Sequence, residues 1–194
     1  MSNKKNKEIE IQVQVENIKG LNKFLREKAK FINKEHQVDK YFSPKDRKFL
    51  KVRPVVEWLR LRDSSDKQSI NYKNWHHDKN GRSHYCDEYE TPVGNMEQVE
   101  KIFKSLEIKP IVTVDKTRKI YKYKDYEISI DSIKDLGNFV EIEYKGKNTT
   151  KSPAKITEEM IKFLKDLNCG KISRNYVGYP FQMLFPKEVK YEIF

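Results

Sequence analysis

Asp115–Tyr144, DKTRKIYKYKDYEISIDSIKDLGNFVEIEY, carries its charges at every second position. Side chains of a β-strand point alternately to opposite faces, so residues two apart share one. Lys116 and Arg118 share a face of one candidate strand. Glu127, Ser129 and Asp131 share a face of the next, with Tyr126, Ile128 and Ile130 opposite. After a Lys-Asp-Leu-Gly turn, Phe139, Glu141 and Glu143 alternate with Val140, Ile142 and Tyr144. Three neighbouring strands thereby bring two cations and up to four carboxylates to one surface.

The solvated face of an ordinary antiparallel sheet also carries charge. Here, however, the acids are gathered rather than interspersed with lysine, and the N-terminal stretch repeats the pattern. In Glu8-Ile9-Glu10-Ile11-Gln12-Val13-Gln14-Val15, both carboxylates lie on one face and four β-branched residues on the other. Carboxylates gathered on one surface repel one another unless a metal or cationic groups sit between them.

Working outward, Ser2–Lys7 is a disordered basic start and Ile18–Asn33 a helix, apolar at Ile18, Leu21, Leu25, Ala29 and Ile32. His36–Phe42 is a short strand, and Lys45–Arg53 a basic loop that could close over a site. Val55–Asp63 alternates, with Trp58, Arg60 and Arg62 in phase. Ser69–Trp75 follows with Asn71, Lys73 and Trp75, then Tyr85–Val93 with Glu88 and Glu90. Met96–Leu106 and Thr157–Leu167 are further helices, and the aromatic-rich Ser173–Phe194 packs against the rest. The order is β-α-ββββ-α-βββ-α in one α+β domain spanning residues 1–194. Nearly every strand has a polar face and only three helices are available to cover a sheet. That combination suits a closed barrel with a polar lumen and an apolar exterior.

The chain has 194 residues, 37% of them hydrophobic and 36% charged, with 11 Tyr and 10 Phe, enough for a real core. No apolar run approaches a membrane span, and the start MSNKKNKEIE lacks the apolar stretch of a signal peptide. A cytoplasmic protein without a membrane partner is expected. Two cysteines, Cys86 and Cys169, make no disulfide framework. A net charge of +11 favours an anionic partner, be it nucleic acid, a polyphosphate or an acidic surface. With seven glycines there is no glycine-rich phosphate loop, and no Ser/His/Asp or Cys/His triad stands out. His76, His77, His84 and Cys86 lie near one turn, but their spacing fits no zinc pattern and reads as a solvated hairpin end. Trp58 and Trp75 read as core residues, with stacking on a base as the alternative.

On one inner surface the charges in phase are Glu8, Glu10, Arg60, Arg62, Lys73, Glu88, Glu90, Lys116, Arg118, Asp131, Glu141 and Glu143. A polyphosphate gripped by Arg and Lys, with Mg²⁺ or Mn²⁺ bridging it to carboxylates, needs that mixture. Glu8-x-Glu10, Trp58-Leu-Arg-Leu-Arg62, Tyr72-Lys73, Glu88-Tyr-Glu90, Lys116-Thr-Arg118 and Asp131…Leu136-Gly-Asn-Phe-Val-Glu141-Ile-Glu143, taken in order, resemble the CYTH proteins, or triphosphate tunnel metalloenzymes. The likeness is greatest to their class IV adenylyl cyclase branch, whose C-terminal Arg-Ser-Tyr element resembles Arg174-Asn-Tyr176.

The resemblance implies an eight-stranded antiparallel tunnel holding a triphosphate end-on with Mg²⁺ or Mn²⁺. By position it makes Glu8, Glu10, Asp131 and Glu141 metal-side carboxylates, supported by Glu88, Glu90 and Glu143. Arg60, Arg62, Lys73, Lys116, Arg118 and Arg174 become phosphate-gripping groups, with Glu10, Lys116 and Arg118 nearest the chemistry. Gln12 stands where the family motif Glu-x-Glu-x-Lys has lysine. It can hydrogen-bond a phosphate oxygen but carries no charge and cannot act as a base. The resemblance implies cyclisation of ATP to 3′,5′-cyclic AMP and pyrophosphate. The alternatives are hydrolysis of thiamine triphosphate or tripolyphosphate, and a non-catalytic sensor of nucleotides or RNA 5′-triphosphate ends. A nucleoside triphosphate or other polyphosphate is the expected partner, nucleic acid is not required, and a homodimer is compatible.

Overall fold

A computed structural model describes residues 7–65, 67–147 and 149–194; all of the basic start except Lys7 lies outside them. The chain runs β1 (Lys7–Glu8), β2 (Glu10–Val15), α1 (Lys19–Lys28), β3 (Lys30–Pro44), β4 (Glu57–Ser64), β5 (Gln68–His77) and β6 (Ser83–Pro92). It continues with α2 (Met96–Ser105), β7 (Ile108–Tyr123), β8 (Tyr126–Ile133), β9 (Gly137–Tyr144), α3 (Pro153–Asp166), β10 (Ile172–Arg174), α4 (Gly178–Leu184) and β11 (Glu192–Ile193). All strands join one antiparallel sheet in the order β1-β6-β5-β4-β3-β7-β8-β9-β2-β10-β11. Among the described residues no helix is long and apolar enough to cross a membrane.

The opening alternation translates directly into the register. Arg118 stands opposite Asp131, Glu127 opposite Glu143, and Ser129 opposite Glu141. Gln12 is opposite Glu141 and Glu10 opposite Glu143. The turn between β8 and β9 depends on Gly137, whose φ of 96° disfavours any side chain.

The expectation of a closed eight-stranded barrel is corrected: the sheet is open and has eleven strands. The first strand breaks at Ile9, so that Lys7 and Glu8 pair with β6 whereas residues 10–13 pair with β9. The C-terminal β10 then takes the remaining edge of β2, which is no longer free to return to β6. The sheet is nevertheless curled, because β1 and β2 are a single residue apart and sit beside strands far apart in the order.

The first helix ends earlier than expected. It stops at Lys28, and β3 runs 15 residues rather than the short His36–Phe42 segment. Strand pairing with β7 over most of this length overrides the helical period of Ala29 and Ile32; Phe31 sits opposite Tyr121 and Ile32 is exposed at a register shift. A fourth helix, α4, arises in the aromatic tail expected only to pack. The third helix starts at Pro153 because Ser152 caps it, accepting a hydrogen bond from the Lys155 backbone N–H.

The apolar outer face of the sheet is covered by α1, α2 and α3. Leu21 and Leu25 of α1 and Ile156, Met160 and Leu164 of α3, spaced four residues apart, bury against Ile11, Val13, Ile128 and Ile142. Tyr179 and Phe181 of α4 instead form a second cluster on the inner side, with Phe139 and with Tyr41 and Trp58, which line the cavity as Tyr179 does. Phe103 of α2 packs on Phe42 and Leu61. Truncating a fully buried member such as Leu164 to alanine removes about 2–5 kcal/mol. With apolar surface satisfied outside, the inner face is left to polar groups.

Candidate active site

The inner face encloses a cavity of ≈ 1000 Å³. Glu8, Glu10, Gln12, Arg60, Arg62, Lys73, Glu88, Glu90, Lys116, Arg118, Glu141 and Glu143 all line it. Asp131 and Arg174 do not. Asp131 is fully buried behind the wall, holding Arg118 through hydrogen bonds of 2.8 and 2.6 Å and accepting one of 2.9 Å from the Tyr179 hydroxyl. Arg174 donates to the backbone carbonyls of Ser83, at 3.1 Å, and Glu10, at 3.4 Å, and lies over the Tyr176 ring. Both brace residues that face the cavity.

One side of the cavity is cationic and is organised by Asp39 of β3. Asp39 pairs with Arg62 at 2.6 Å and lies 3.4 Å from Arg60 and 3.8 Å from Lys116. Burial opposes its ionisation, but Arg60, Arg62 and Lys116 together hold its carboxyl well below the usual range. Burial, and then the neighbouring Arg118, pull the Lys116 ammonium down to about 8 despite Asp131 and Asp39. Arg118 also reaches Glu141 at 2.8 Å. The Nε of buried Arg60 finds no hydrogen-bond acceptor in the protein. An orphaned guanidinium N–H in a cluster of cations suits an anionic ligand.

The other side is acidic. Glu8, Glu10 and Glu88 surround Lys73, and Glu143 pairs with Lys145. Burial raises the Glu10 carboxyl well above its ordinary value; Lys73 opposes this, and Glu8, Glu141 and Glu143 add to it. Glu143 is raised by burial and by Glu8 to about 7. Glu88, also buried, is instead drawn down to about 2 by Lys73 and Arg60. Among the described residues, no three His, Cys, Asp or Glu side chains converge into a metal cage on their own. The donor set still fits a hard divalent ion. The candidate donors are all carboxylate oxygens, and burial, with repulsion between neighbours added, raises Glu10 and Glu143, a penalty that such an ion would offset. Glu8 and Glu10, with Glu88, Glu141 and Glu143 beside them, would be the residues to hold such an ion.

The departure at Gln12 has a partner. The Gln182 side-chain amide on α4 donates to the Gln12 carbonyl oxygen at 3.0 Å, leaving the Gln12 –NH₂ as its remaining donor. Other lining residues escaped the sequence reading: Glu35 and Gln37 on β3, Lys145 at the end of β9, and Tyr179, over whose ring Lys116 lies. Glu35, Gln37, Asp39 and Tyr41 follow the same two-residue period, which was the available signal. Trp58 and Trp75 both line the cavity; Trp58 is buried edge-on against Tyr41. The histidines are engaged separately, His76 with Asp87, His77 with the Tyr176 carbonyl and His84 with Thr157. No residue of the Lys45–Arg53 run lines the cavity; Arg47 and Arg53 pair with Glu57 and Glu188.

Comparison with known proteins identifies the family and the fold. A Methanocaldococcus jannaschii protein named "Putative adenylate cyclase" is 36% identical over 165 residues, covering 84% of this chain and 91% of its own. The PH1819 protein of Pyrococcus horikoshii shares the fold, with a TM-score of 0.75 at 24% identity over 93% of this chain and 99% of that one. So does a Hippeastrum protein named "Putative adenylyl cyclase" and described as having a dominant triphosphatase activity. It has a TM-score of 0.63 at 17% identity over 93% and 95% of the two chains. The model of the CYTH domain matches residues 6–176, and the chain belongs to the CYTH domain family.

Proposed function

We propose that the protein is a metal-dependent nucleotidyl cyclase that converts ATP to 3′,5′-cyclic AMP and pyrophosphate in its charged cavity. The observation that carries this reading is the pairing of a cationic wall around Asp39 with an acidic wall around Lys73, combined with a neutral, hydrogen-bonded Gln12. Hydrolysis needs a water to be activated, and glutamine cannot take its proton. Cyclisation brings its own nucleophile.

In this reading Arg60, Arg62, Lys116 and Arg118 hold the β- and γ-phosphates. The ribose 3′-oxygen forms a bond to the α-phosphorus while the bond from that phosphorus to the α–β bridging oxygen breaks. The four cations stabilise the charge that accumulates on departing pyrophosphate. Glu10 in its ionised form, on an oxygen that an ion would leave free, receives the hydroxyl proton, and burial strengthens it as a base. Bound Mg²⁺ or Mn²⁺ supplies Lewis-acid charge that lowers the pKa of the attacking hydroxyl. The remaining contribution is positioning: a substrate held at its phosphates reacts as an intramolecular system.

A second reading, triphosphate hydrolysis, is favoured by one observation. Lys116, held near 8, is a buried amine able to exchange a proton near neutral pH. The activity described for the Hippeastrum protein points the same way. Incubation with ATP and Mn²⁺ separates the two readings. Cyclic AMP with pyrophosphate supports the cyclase, phosphate without cyclic nucleotide supports the hydrolase, and no turnover of ATP or tripolyphosphate overturns both.

A further inference from the structure

A single ammonium serves three carboxylates on the acidic side of the cavity. Lys73 of β5 is ion-paired with Glu8 and lies 4.0 Å from Glu10 and 3.7 Å from Glu88. The three acids come from β1, β2 and β6, so they share no local reason to meet. Their side chains and that of Lys73 are largely withdrawn from water, and the lysine is 15% exposed. Buried carboxylates left without a cation are strongly destabilising, and the ammonium is what allows these to approach. It stands where a divalent ion would neutralise the same oxygens.

We infer that Lys73 is a built-in counter-ion. It holds Glu8, Glu10 and Glu88 until a divalent ion takes their oxygens, and is then turned from the carboxylates onto the phosphates of the incoming substrate. The inference rests on the divalent-ion reading above and deepens it.

Two cations do not share one set of oxygens at contact distance without strong repulsion. An arriving ion therefore frees the ammonium, whose four-carbon stem lets it swing. The Trp75 ring, 5.7 Å from Nζ, keeps an aromatic face beside the released charge. The wall then changes its affinity for anions: before metal its lysine is engaged by glutamates, and afterwards its N–H groups are free to donate to phosphate oxygens. Metal and polyphosphate must consequently strengthen each other's binding.

The test uses the full chain with Mn²⁺ and inorganic tripolyphosphate as probes. Mn²⁺ binding is followed by the electron paramagnetic resonance of the free ion, and tripolyphosphate binding by calorimetry. Lys73→Met, with no ammonium to displace, is expected to bind Mn²⁺ at least tenfold more tightly than the wild type. It is also expected to bind tripolyphosphate about tenfold more weakly once Mn²⁺ is present. Unchanged or weaker Mn²⁺ binding by the variant overturns the exchange. A crystal structure of the wild type with Mn²⁺ needs no variant: Nζ is expected to have left Glu8, and an intact Lys73–Glu8 pair beside bound Mn²⁺ overturns the exchange alone. If neither protein binds Mn²⁺, the divalent-ion reading falls as well.

Discussion

Asp39 accepts two hydrogen bonds from Arg62, 2.6 Å from Nε and 2.7 Å from the terminal Nη2, in the fork geometry that a guanidinium and a carboxylate share. Asp39 is 1% exposed. It fixes the direction of Arg62 and, through weaker contacts, sets Arg60 and Lys116 around the same point.

Asp39→Ala therefore leaves three buried cations without their common anion. Loss of about 3–5 kcal/mol in urea unfolding is expected. The exposed pair Lys162–Asp166 on α3 provides the contrast, since its removal changes stability by about 0.5 kcal/mol. Equal effects from the two would show that Asp39 does not organise the cationic wall.

That residue also marks where sequence and structure part. The two-residue alternation of β7, β8 and β9 depends on adjacent strands alone and was readable from Lys116 to Tyr144. Asp39 lies in the His36–Phe42 segment that reads as a strand, in phase with Glu35 and Gln37, but only the pairing of β3 with β4 and β7 brings Arg62 and Lys116 to it. Non-local pairing leaves little local trace. The same holds for the open sheet edge. Ile172–Arg174 looks like any short polar stretch until it docks on β2 and displaces the expected closure. The resemblance makes Arg174 a phosphate-gripping residue, and its placement outside the cavity lining is visible only in three dimensions.

Gln12→Lys restores a titratable amine opposite Glu141 on β9 and breaks the hydrogen bond from Gln182. Positioned proton transfer contributes roughly 10²–10⁴-fold in favourable cases. Phosphate release from tripolyphosphate with Mn²⁺ should rise on the order of 10²-fold, without a matching rise in cyclic nucleotide. Phosphate release no greater than that of the wild type would mean that residue 12 does not decide between water and ribose as nucleophile.

The depressed pKa of Lys116 sets a pH dependence. Below about 8 the ammonium is charged and grips phosphate; above it the amine is neutral and the grip weakens. Tripolyphosphate affinity measured by calorimetry should fall as pH rises from 7 to 9.5, by up to about tenfold per unit beyond the pKa. Lys116→Arg, protonated throughout, should flatten the profile. Linkage gives the opposite sign for folding: the unfolded lysine titrates near 10.5, so this group stabilises the fold increasingly as pH rises from about 8 to 10.5.

Arg174 provides the sharpest separation between a wall-bracing and a phosphate-gripping role. Arg174 is 4% exposed, and its guanidinium ties the backbone of β2 to that of β6 through Glu10 and Ser83 and lies 4.4 Å from the centre of the Tyr176 ring. Arg174→Met keeps much of the stem volume and removes both donors, leaving two buried carbonyls unsatisfied at about 1–3 kcal/mol each. Urea unfolding should register that loss. The salt dependence of tripolyphosphate binding should stay as in the wild type, because no cavity charge has gone. Arg62→Met is the counterpart, since it removes a lining cation and should weaken both the binding and its dependence on salt. If Arg174→Met instead behaves like Arg62→Met, the guanidinium reaches the ligand and the wall must open to admit it.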